Sequence, residues 1–426
     1  MSYFRMIDFC GKGLPMVFSG KRSADCVTSW ILLPAITTGL KSSPKSNSYP
    51  HLLASDQCAN GIAFAMTTIL SGVHQVTPAW LTELFHRKGL LGEGRVNAVQ
   101  VIGSGATTVS QFFFLRVSYL AADSNAPKRL FLKIPTPAVP WANKEVEFYR
   151  LLAPEMQRVE ADRHPLFPIC YAVSYAPETN HSHLLLEELS ATHFTDQGPM
   201  PPSRPLCALV VEAYARLHAF WWEHPWLGER AGERLSEAAI EGFLATARTR
   251  FTDFVGVAGH ALNPEQHRVL TTVVSAWPAR RRARVVAGRG VTLVHRDPHP
   301  LNFLYPYNTE KDIIKLIDWQ SWRVDTGTDD LAYLMACHWP LAQESTLEQE
   351  LLQHYHRHLA SGGVQHYTWD DCWYDYRASI IRCLFFLMIA WSPAQWAKGV
   401  WWGRLQRALA AYDRWRCADL WAESGG

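Results

Sequence analysis

Apolar and polar positions alternate between residues 98 and 189 as they do in short β-strands. β-Branched and aromatic residues at every second position predict strands at 98–120, interrupted by a turn, and at 129–135, 168–177 and 182–189. Between the third and fourth of these strands, NKEVEFYRLLAPEM has the spacing of an amphipathic helix. This part of the chain is therefore predicted to form three strands, a helix and two further strands.

Helical spacing dominates the remainder of the chain. A Thr-Pro pair predicts a helix start at residue 77, and PLCALVVEAYARLHAFWWEH predicts a buried helix at 205–224. Residues 1–65 have no sustained period and include the linker-like KSSPKSNSYP, so we expect either a flexible extension or a native start at Met66. The pattern predicts an α+β chain with an extension at 1–65, one lobe at 66–190 and a helical lobe at 191–426.

Composition narrows the class of protein. Of the 426 residues, 48% are hydrophobic and 19% are charged, which is typical of a folded globular chain and not of a disordered one. A formal net charge of +2 argues against a nucleic-acid or acidic-membrane binder, because such proteins need excess Lys and Arg. The nine cysteines form no C-x-x-C motif, and the apolar stretch at 27–40 is too short to span a bilayer. We therefore expect a cytoplasmic protein with reduced thiols and no membrane or nucleic-acid partner.

The sharpest chemical signal is VHRDPHPLNFLY, followed by IKLIDWQ. Asp297, Asn302 and Asp318 each lie at the end of a short apolar strand, which holds the connecting loops rigidly. Phosphoryl transfer needs a carboxylate to orient or deprotonate the attacking hydroxyl, and hard oxygen ligands to hold Mg²⁺ against the phosphates. Asp297 fits the first role, and Asn302 and Asp318 fit the second.

These motifs resemble those of the kinase-like phosphotransferase superfamily. The resemblance covers about residues 76–420 and is nearest to aminoglycoside phosphotransferases, choline kinases and the ecdysteroid-kinase-like branch. It implies a bilobal fold with a small antiparallel-sheet lobe and a larger helical lobe. It also implies ATP and Mg²⁺ as cofactors and transfer of the γ-phosphoryl group to a hydroxyl of a small molecule.

The resemblance assigns roles in the nucleotide lobe. Lys133 stands where the family keeps the lysine that contacts the ATP phosphates, and Glu145 stands where a glutamate pairs with it. Glu147 is the alternative partner, two residues away on another face of the helix. The turn at Gly103–Ser110 is predicted to cover the phosphates, although it lacks the third glycine of G-x-G-x-x-G. The predicted nucleotide contacts are Gly103, Ser104, Gly105 and, at a hinge spanning residues 187–190, Glu187 and Leu189, with Glu188 between them.

Three further residues are expected to support the catalytic loop. Asp330 matches the family's D-L-A segment, and His295 is expected to bond to backbone. Arg296 occupies a position that is usually Gly in small-molecule phosphotransferases and Arg in protein kinases. Only eleven residues separate Asp318 from Asp330, which leaves little room for a peptide-binding segment, so we interpret Arg296 as structural. A protein kinase and a nucleotide-binding pseudokinase scaffold remain the alternatives.

The acceptor is not identified by the sequence. WDDCWYDYR offers Asp371 and Asp375, four residues apart on one predicted helix, with Trp373 or Tyr376 as an aromatic neighbour for a cationic acceptor. The same pattern is typical of a helix with an acidic solvated face and an aromatic core. Neither the acceptor nor the oligomeric state can be inferred from these residues.

Overall fold

Five antiparallel strands form the sheet that the alternating pattern predicts, in the order β1-β2-β3-β5-β4. They are β1 Arg95–Ala106, β2 Ser110–Leu120, β3 Arg129–Pro135, β4 Cys170–Ala176 and β5 His181–Glu187. One face of the sheet, including Leu115, Leu130 and Leu132, packs on helix α1, Pro78–Arg87, whose first turn is capped by the Thr77 side chain. The register sets Lys133 opposite Phe112 on one side and Leu184 on the other, at the centre of the sheet.

The helix between β3 and β4 joins the sheet to the rest of the molecule. It runs as α2, Ala142–Glu147, widens into a π-helical turn at Phe148–Leu152, and continues as α3, Ala153–Val159. Pro154 follows the wide turn and explains it, because proline cannot donate the hydrogen bond that a regular helix requires there. Phe148 stacks on Trp319 at 3.8 Å between ring centroids, so the helix shares the core of the second lobe.

The larger lobe is mainly helical, with short strands around the predicted loops. The helices are α4 Arg204–Phe220, α5 Glu237–Ala258, α6 Pro264–Ala287, α7 Thr328–Ala332, which continues as a π-helical turn at Tyr333–His338, α8 Ser345–Ser361, α9 Trp369–Ala390, α10 Val400–Arg414 and α11 Asp419–Ala422. The strands are β6 His193–Phe194, β7 Thr292–Val294, β8 Phe303–Pro306, β9 Lys315–Leu316 and β10 Arg323–Asp325. Strands β6, β8 and β9 form one small sheet, and β7 pairs with β10.

The computed structural model describes residues 69–107, 109–121, 126–139, 142–195, 202–232, 236–287, 289–339, 345–393 and 399–422. The extension predicted at 1–65 lies outside the described residues. No helix in these ranges is both long enough and apolar enough to cross a bilayer. The prediction of an α+β fold with a small antiparallel sheet and a larger helical lobe is confirmed.

Candidate active site

The loop between β7 and β8 is held by the carboxylate of Asp330. That carboxylate accepts hydrogen bonds from the backbone N–H groups of His295, at 2.7 Å, and Arg296, at 2.8 Å. Arg296 has φ of +73°, a left-handed conformation that costs a non-glycine residue about 1–3 kcal/mol. Two charge-assisted hydrogen bonds to a fully buried carboxylate offset this strain. Asp330 therefore holds the backbone of the loop that carries Asp297.

His295 links this loop to the segment that carries Asp318. Its Nδ1 accepts from the Asp297 N–H at 3.3 Å, and its Nε2 donates to the Ile317 carbonyl at 2.9 Å. The Ile317 N–H in turn donates to the Asn302 carbonyl at 3.1 Å. The imidazole is thus a backbone-bonding group, and it brings the two sequence motifs side by side.

Asp297 lies near the start of this loop, and Asn302 is its last residue before β8. The Asn302 Nδ2 donates to the Asp297 backbone carbonyl at 2.9 Å, which leaves the amide oxygen as the ligand-type atom of that side chain. The Asp297 carboxylate is 13% exposed, and its Oδ2 lies 3.8 Å from the Nε2 of His299. The loop therefore presents one carboxylate and one amide oxygen.

Lys133 connects the two lobes through two carboxylates, that of Glu145, which is buried, and that of Asp318, whose side chain is 24% exposed. Its Nζ lies 2.7 Å from Glu145 Oε2 and 2.6 Å from Asp318 Oδ1, although Asp318 is 185 positions away in the sequence. Asp318 itself has φ of +68°, and its second carboxylate oxygen accepts from Gln320 at 3.3 Å. The fold therefore places Lys133 of β3, Glu145 of α2 and Asp318 of the second motif in contact.

The charges in this triad adjust one another's pKa values. Burial opposes the charge on Lys133, but Asp318 and Glu145 together raise the pKa of the lysine. Burial raises the pKa of Glu145, whereas Lys133 overcomes burial at Asp318 and holds the pKa of that carboxyl below its usual range. Asp318 is therefore ionised at neutral pH. The carboxylate of Asp318 and the amide oxygen of Asn302 are hard ligands of the kind that Mg²⁺ prefers, so the donor set fits this ion.

Glu145, rather than Glu147, meets the lysine. Glu147 points to another side of the helix, where its carboxylate pairs with Lys144 at 3.2 Å and accepts from the Gly232 N–H at 3.4 Å. The two glutamates are two residues apart and therefore lie about 200° apart around the helix axis. Sequence spacing leaves this choice open, and the orientation of α2 decides it.

The glycine-containing segment differs from the expected loop. Gly103, Ser104 and Gly105 belong to β1, which pairs with β2 as far as Ala106, so the turn comes later. Neither glycine has a positive φ. Strand pairing continues through them because glycine tolerates extended backbone as well as turns. Downstream of the turn, Val109 and Ser110 line a small pocket together with Lys133, Glu145 and Gln320.

The predicted hinge follows the last strand of the sheet. Glu187 ends β5, and Leu189 turns the chain by accepting backbone hydrogen bonds from Thr192 at 3.0 Å and His193 at 2.8 Å. The Glu188 side chain is buried and forms an ion pair with Arg129. It also accepts from the Ser190 N–H at 2.9 Å. The Glu188 carboxylate therefore holds the hinge segment through Arg129 and Ser190, and it is not solvated.

The comparisons with known proteins match these observations. A model of the ecdysteroid kinase-like family matches residues 134–223 and 229–365, which is more than half of the chain. The chain belongs to the ecdysteroid kinase-like family. This membership assigns it to the kinase-like phosphotransferases, in agreement with the resemblance found in the sequence.

Solved structures similar to this ecdysteroid kinase-like chain have low sequence identity. A protein of Ralstonia eutropha assigned as an aminoglycoside phosphotransferase is 12% identical with a TM-score of 0.50, covering 79% of this chain and 98% of its own. A choline/ethanolamine kinase family protein from Mesorhizobium loti is 18% identical with a TM-score of 0.43, covering 75% and 91%. The choline kinase LicA from Streptococcus pneumoniae is 15% identical with a TM-score of 0.41, covering 75% and 94%. No curated protein matches the sequence.

The acidic cluster suggested for the acceptor has structural roles in this ecdysteroid kinase-like chain. Asp371 completes a capping box at the start of α9, accepting from the Thr368 N–H at 2.8 Å and hydroxyl at 2.7 Å. Asp375 is buried and accepts from the Tyr367 hydroxyl at 3.0 Å. Trp373 packs edge-on against Trp415. Helix capping and core packing account for these contacts, and a role of the three residues in binding a cationic acceptor stays a prediction.

Another polar group in the larger lobe, formed by Tyr333, His338 and Arg404, lies near Asp297 and His299. Tyr333 accepts from Arg404 Nη1 at 3.2 Å, and both Asp297 and Arg404 act electrostatically on its hydroxyl. The ring of His338 lies 4.9 Å from that of Tyr333 and 6.0 Å from that of His299. The spacing of residues in the sequence does not single out Tyr333, His338 or Arg404. Tyr333 and His338 lie in the π-helical turn after α7, and π-helical turns occur frequently at functional sites, whereas Arg404 comes from α10.

Proposed function

We propose that this protein transfers the γ-phosphoryl group of ATP to a hydroxyl of a small organic molecule. The observation that carries the proposal is the triad of Lys133, Glu145 and Asp318, next to the loop that presents Asp297 and Asn302. Membership of the kinase-like phosphotransferases supports the reaction class. In this proposal residues 66–190 bind the nucleotide and residues 191–426 bind the acceptor.

Each charged group has one role in the proposed reaction. Asp297 accepts the proton of the acceptor hydroxyl. The oxygen of that hydroxyl forms a bond to the γ-phosphorus of ATP while the bond between the γ-phosphorus and the departing ADP breaks. Lys133 neutralises phosphate charge, and Glu145 holds its ammonium in position. Asn302 and Asp318 are the proposed ligands of Mg²⁺, which supplies charge neutralisation on the phosphates when it is bound.

The remaining nucleotide contacts are proposed from backbone positions. The hairpin after Gly103, Ser104 and Gly105 flanks the pocket that Lys133 lines, so its N–H groups are suited to cover phosphates. The hinge backbone at Glu187 and Leu189 is proposed to meet the adenine ring. The hinge contacts depend on backbone groups because the Glu188 carboxylate is already used by Arg129.

The acceptor side is proposed to be the polar group next to Asp297. Burial raises the pKa of Tyr333, so its hydroxyl stays protonated and can hydrogen-bond an acceptor oxygen. Burial lowers the pKa of His299, which leaves a neutral imidazole beside the proposed base. Arg404 adds a positive charge at the same place. These groups suit a neutral or anionic acceptor better than a cation.

The test measures acceptor-dependent ADP formation over a library of hydroxyl-bearing metabolites and antibiotics. Asp297→Asn is expected to lower turnover by about 10²–10⁴-fold while ATP binding, measured by calorimetry, stays within a factor of two. Asp371→Asn is the matched control, since it alters a carboxylate with a capping role, and it should retain turnover. Unchanged turnover in Asp297→Asn would falsify the assignment of the base.

Two other results would favour the alternatives. ATP binding without turnover across the whole library would favour a pseudokinase scaffold. Phosphorylation of a generic protein substrate would favour a protein kinase. Retention of the complete set of charged groups argues against a scaffold, because a protein that only binds nucleotide has no chemical need for Asp297.

A further inference from the structure

A cluster of metal-ligand side chains lies outside the proposed active site, where α4 packs against α8. Glu212 belongs to α4, and His354 and His358 belong to α8. The two histidines are four residues apart and therefore share one face of their helix, one turn above the other. Two packed helices thus bring three side chains of ligand type to one place.

The distances within this cluster are close to those of a tetrahedral zinc site. Glu212 Oε1 lies 2.7 Å from His354 Nε2 and 3.9 Å from His358 Nε2, and the ligand atoms of all three residues lie within 4.8 Å of one another. Ligand atoms bound about 2.0–2.2 Å from a tetrahedral Zn²⁺ are roughly 3.3–3.6 Å apart. Side-chain rotations that move each atom by about 1 Å are enough to close this difference.

The ligand chemistry selects a transition metal rather than Mg²⁺. Two imidazole nitrogens and one carboxylate form a set typical of Zn²⁺, whereas Mg²⁺ prefers oxygen ligands. The side chains of Glu212 and His358 are 38% and 42% exposed, which leaves the ion a route from solvent.

We propose that Glu212, His354 and His358 form a binding site for a divalent transition-metal ion of the zinc type, with solvent in the fourth position. The proposal does not depend on the proposed phosphotransferase activity. It concerns residues that the catalytic assignment does not use.

The side chain of Arg357 opposes metal binding at this site. Its Nη2 contacts His354 Nδ1 at 3.4 Å, so in the metal-free protein that nitrogen accepts and Nε2 carries the proton that faces Glu212. Metal binding through Nε2 requires the proton to sit on Nδ1 instead, and the arginine must then move away. Removing the Arg357 charge is therefore expected to strengthen binding.

The site joins two helices that support the catalytic loop. Tyr355, next to His354 on α8, has its hydroxyl 2.8 Å from His218 Nδ1 on α4. The other nitrogen of His218 lies 3.3 Å from the carboxylate of Asp330. An ion bound to Glu212 and the α8 histidines would link these helices again at the surface. Because the ion binds the native state preferentially, it should raise the unfolding temperature.

The experiment is a calorimetric titration of the full-length, tag-free, metal-stripped protein with ZnCl₂, with MgCl₂ titrated in parallel. One Zn²⁺ per chain is expected, with a rise in unfolding temperature, and His354→Gln or His358→Gln should weaken binding by about tenfold or more. His267→Gln, at an exposed histidine of α6, is the matched control and should bind as the parent does. Arg357→Ala should bind Zn²⁺ a few-fold more tightly.

A second readout uses the visible absorption of Co²⁺, whose intensity separates four-coordinate from six-coordinate binding. An intense band that both histidine variants lose supports the proposal. The proposal is overturned if the parent binds no Zn²⁺ at micromolar concentration. It is equally overturned if the histidine variants bind Zn²⁺ as tightly as His267→Gln does.

Discussion

Asp318 and Asp371 are both aspartates close to tryptophan in the sequence, but their carboxylates have different kinds of partner in the structure. Asp318 is reached by Lys133 from 185 positions away, across the boundary between the lobes. Asp371 is satisfied by Thr368, three positions away, at the start of its own helix. A carboxylate that meets a charged partner from a distant segment marks a candidate site, whereas one that meets its own neighbours caps a helix.

Asp330 and Asp375 repeat this contrast in the core of the larger lobe. Both are buried. Asp330 accepts from two backbone N–H groups of the loop that carries Asp297, more than thirty positions away, and Asp375 accepts from Tyr367, eight positions away. Burial alone therefore does not distinguish a supporting residue from a packing residue, and the location of the partner does.

Among variants of the four carboxylates compared above, the largest effect is expected from Asp318→Asn. Neutralising this side chain removes a proposed metal ligand and leaves Lys133 with one carboxylate partner, so turnover should fall by about 10³-fold. The measurement is kcat with a saturating acceptor, compared with Asp371→Asn, which should change little. Equal losses of kcat in the two variants would contradict the inference that a charged partner from a distant segment marks a candidate site.

The next effect is expected from Asp330→Asn. An amide in this place presents an NH₂ group to one of the two loop N–H donors, so one buried donor loses its partner. The free energy of unfolding should fall by about 1–3 kcal/mol, and turnover should fall because the Asp297 loop loosens. Urea unfolding and kcat measure the two effects together. Retained stability and retained turnover would contradict the buttressing role.

A charge reversal at Arg404 tests the acceptor side. In the parent we expect choline to be a poorer acceptor than its neutral carbon isostere, because Arg404 repels a cation. Arg404→Glu should move the ratio of kcat/KM values toward choline by about tenfold, and Lys311→Glu at an exposed loop position should not. A ratio that stays the same in Arg404→Glu would place the acceptor elsewhere.

The smallest effect is expected from Asp371→Ala. Loss of the capping box should lower the free energy of unfolding by about 1 kcal/mol, with kcat unchanged. Asp370→Ala, at the preceding exposed position, serves as the control and should lose less stability. A substantial fall in kcat for Asp371→Ala would return this residue to the acceptor site.

Part of this structure can be read directly from local patterns. The strand at 129–135 and the Thr77 helix cap follow the sequence because alternation and capping depend on neighbouring residues. The loop motif with Asp297 and Asn302 is also local, since its spacing is set by two short strands. The His354–His358 spacing is a further local signal, because two residues four apart on a helix share one face.

Other features depend on how helices and strands are oriented. The choice between Glu145 and Glu147 requires the rotation of α2 about its axis, which is set by packing of Phe148 on Trp319. The extent of β1 through Gly103 and Gly105 depends on pairing with β2, which outweighs the turn preference of glycine. Short-range sequence patterns contain no information about the rotation of α2 or about how far β1 pairs with β2.

The amino-acid sequence by itself determined the motifs that contain the candidate site residues, the order of strands and helices, and the family resemblance, because these depend on residues close together in the chain. Tertiary structure decided which charges meet. It joined Lys133 to Asp318, gave Asp371 to a helix cap, and brought Arg404 and Tyr333 toward Asp297. The physical reason is that electrostatic interactions act over distances in space, and folding alone sets those distances for residues far apart in the chain.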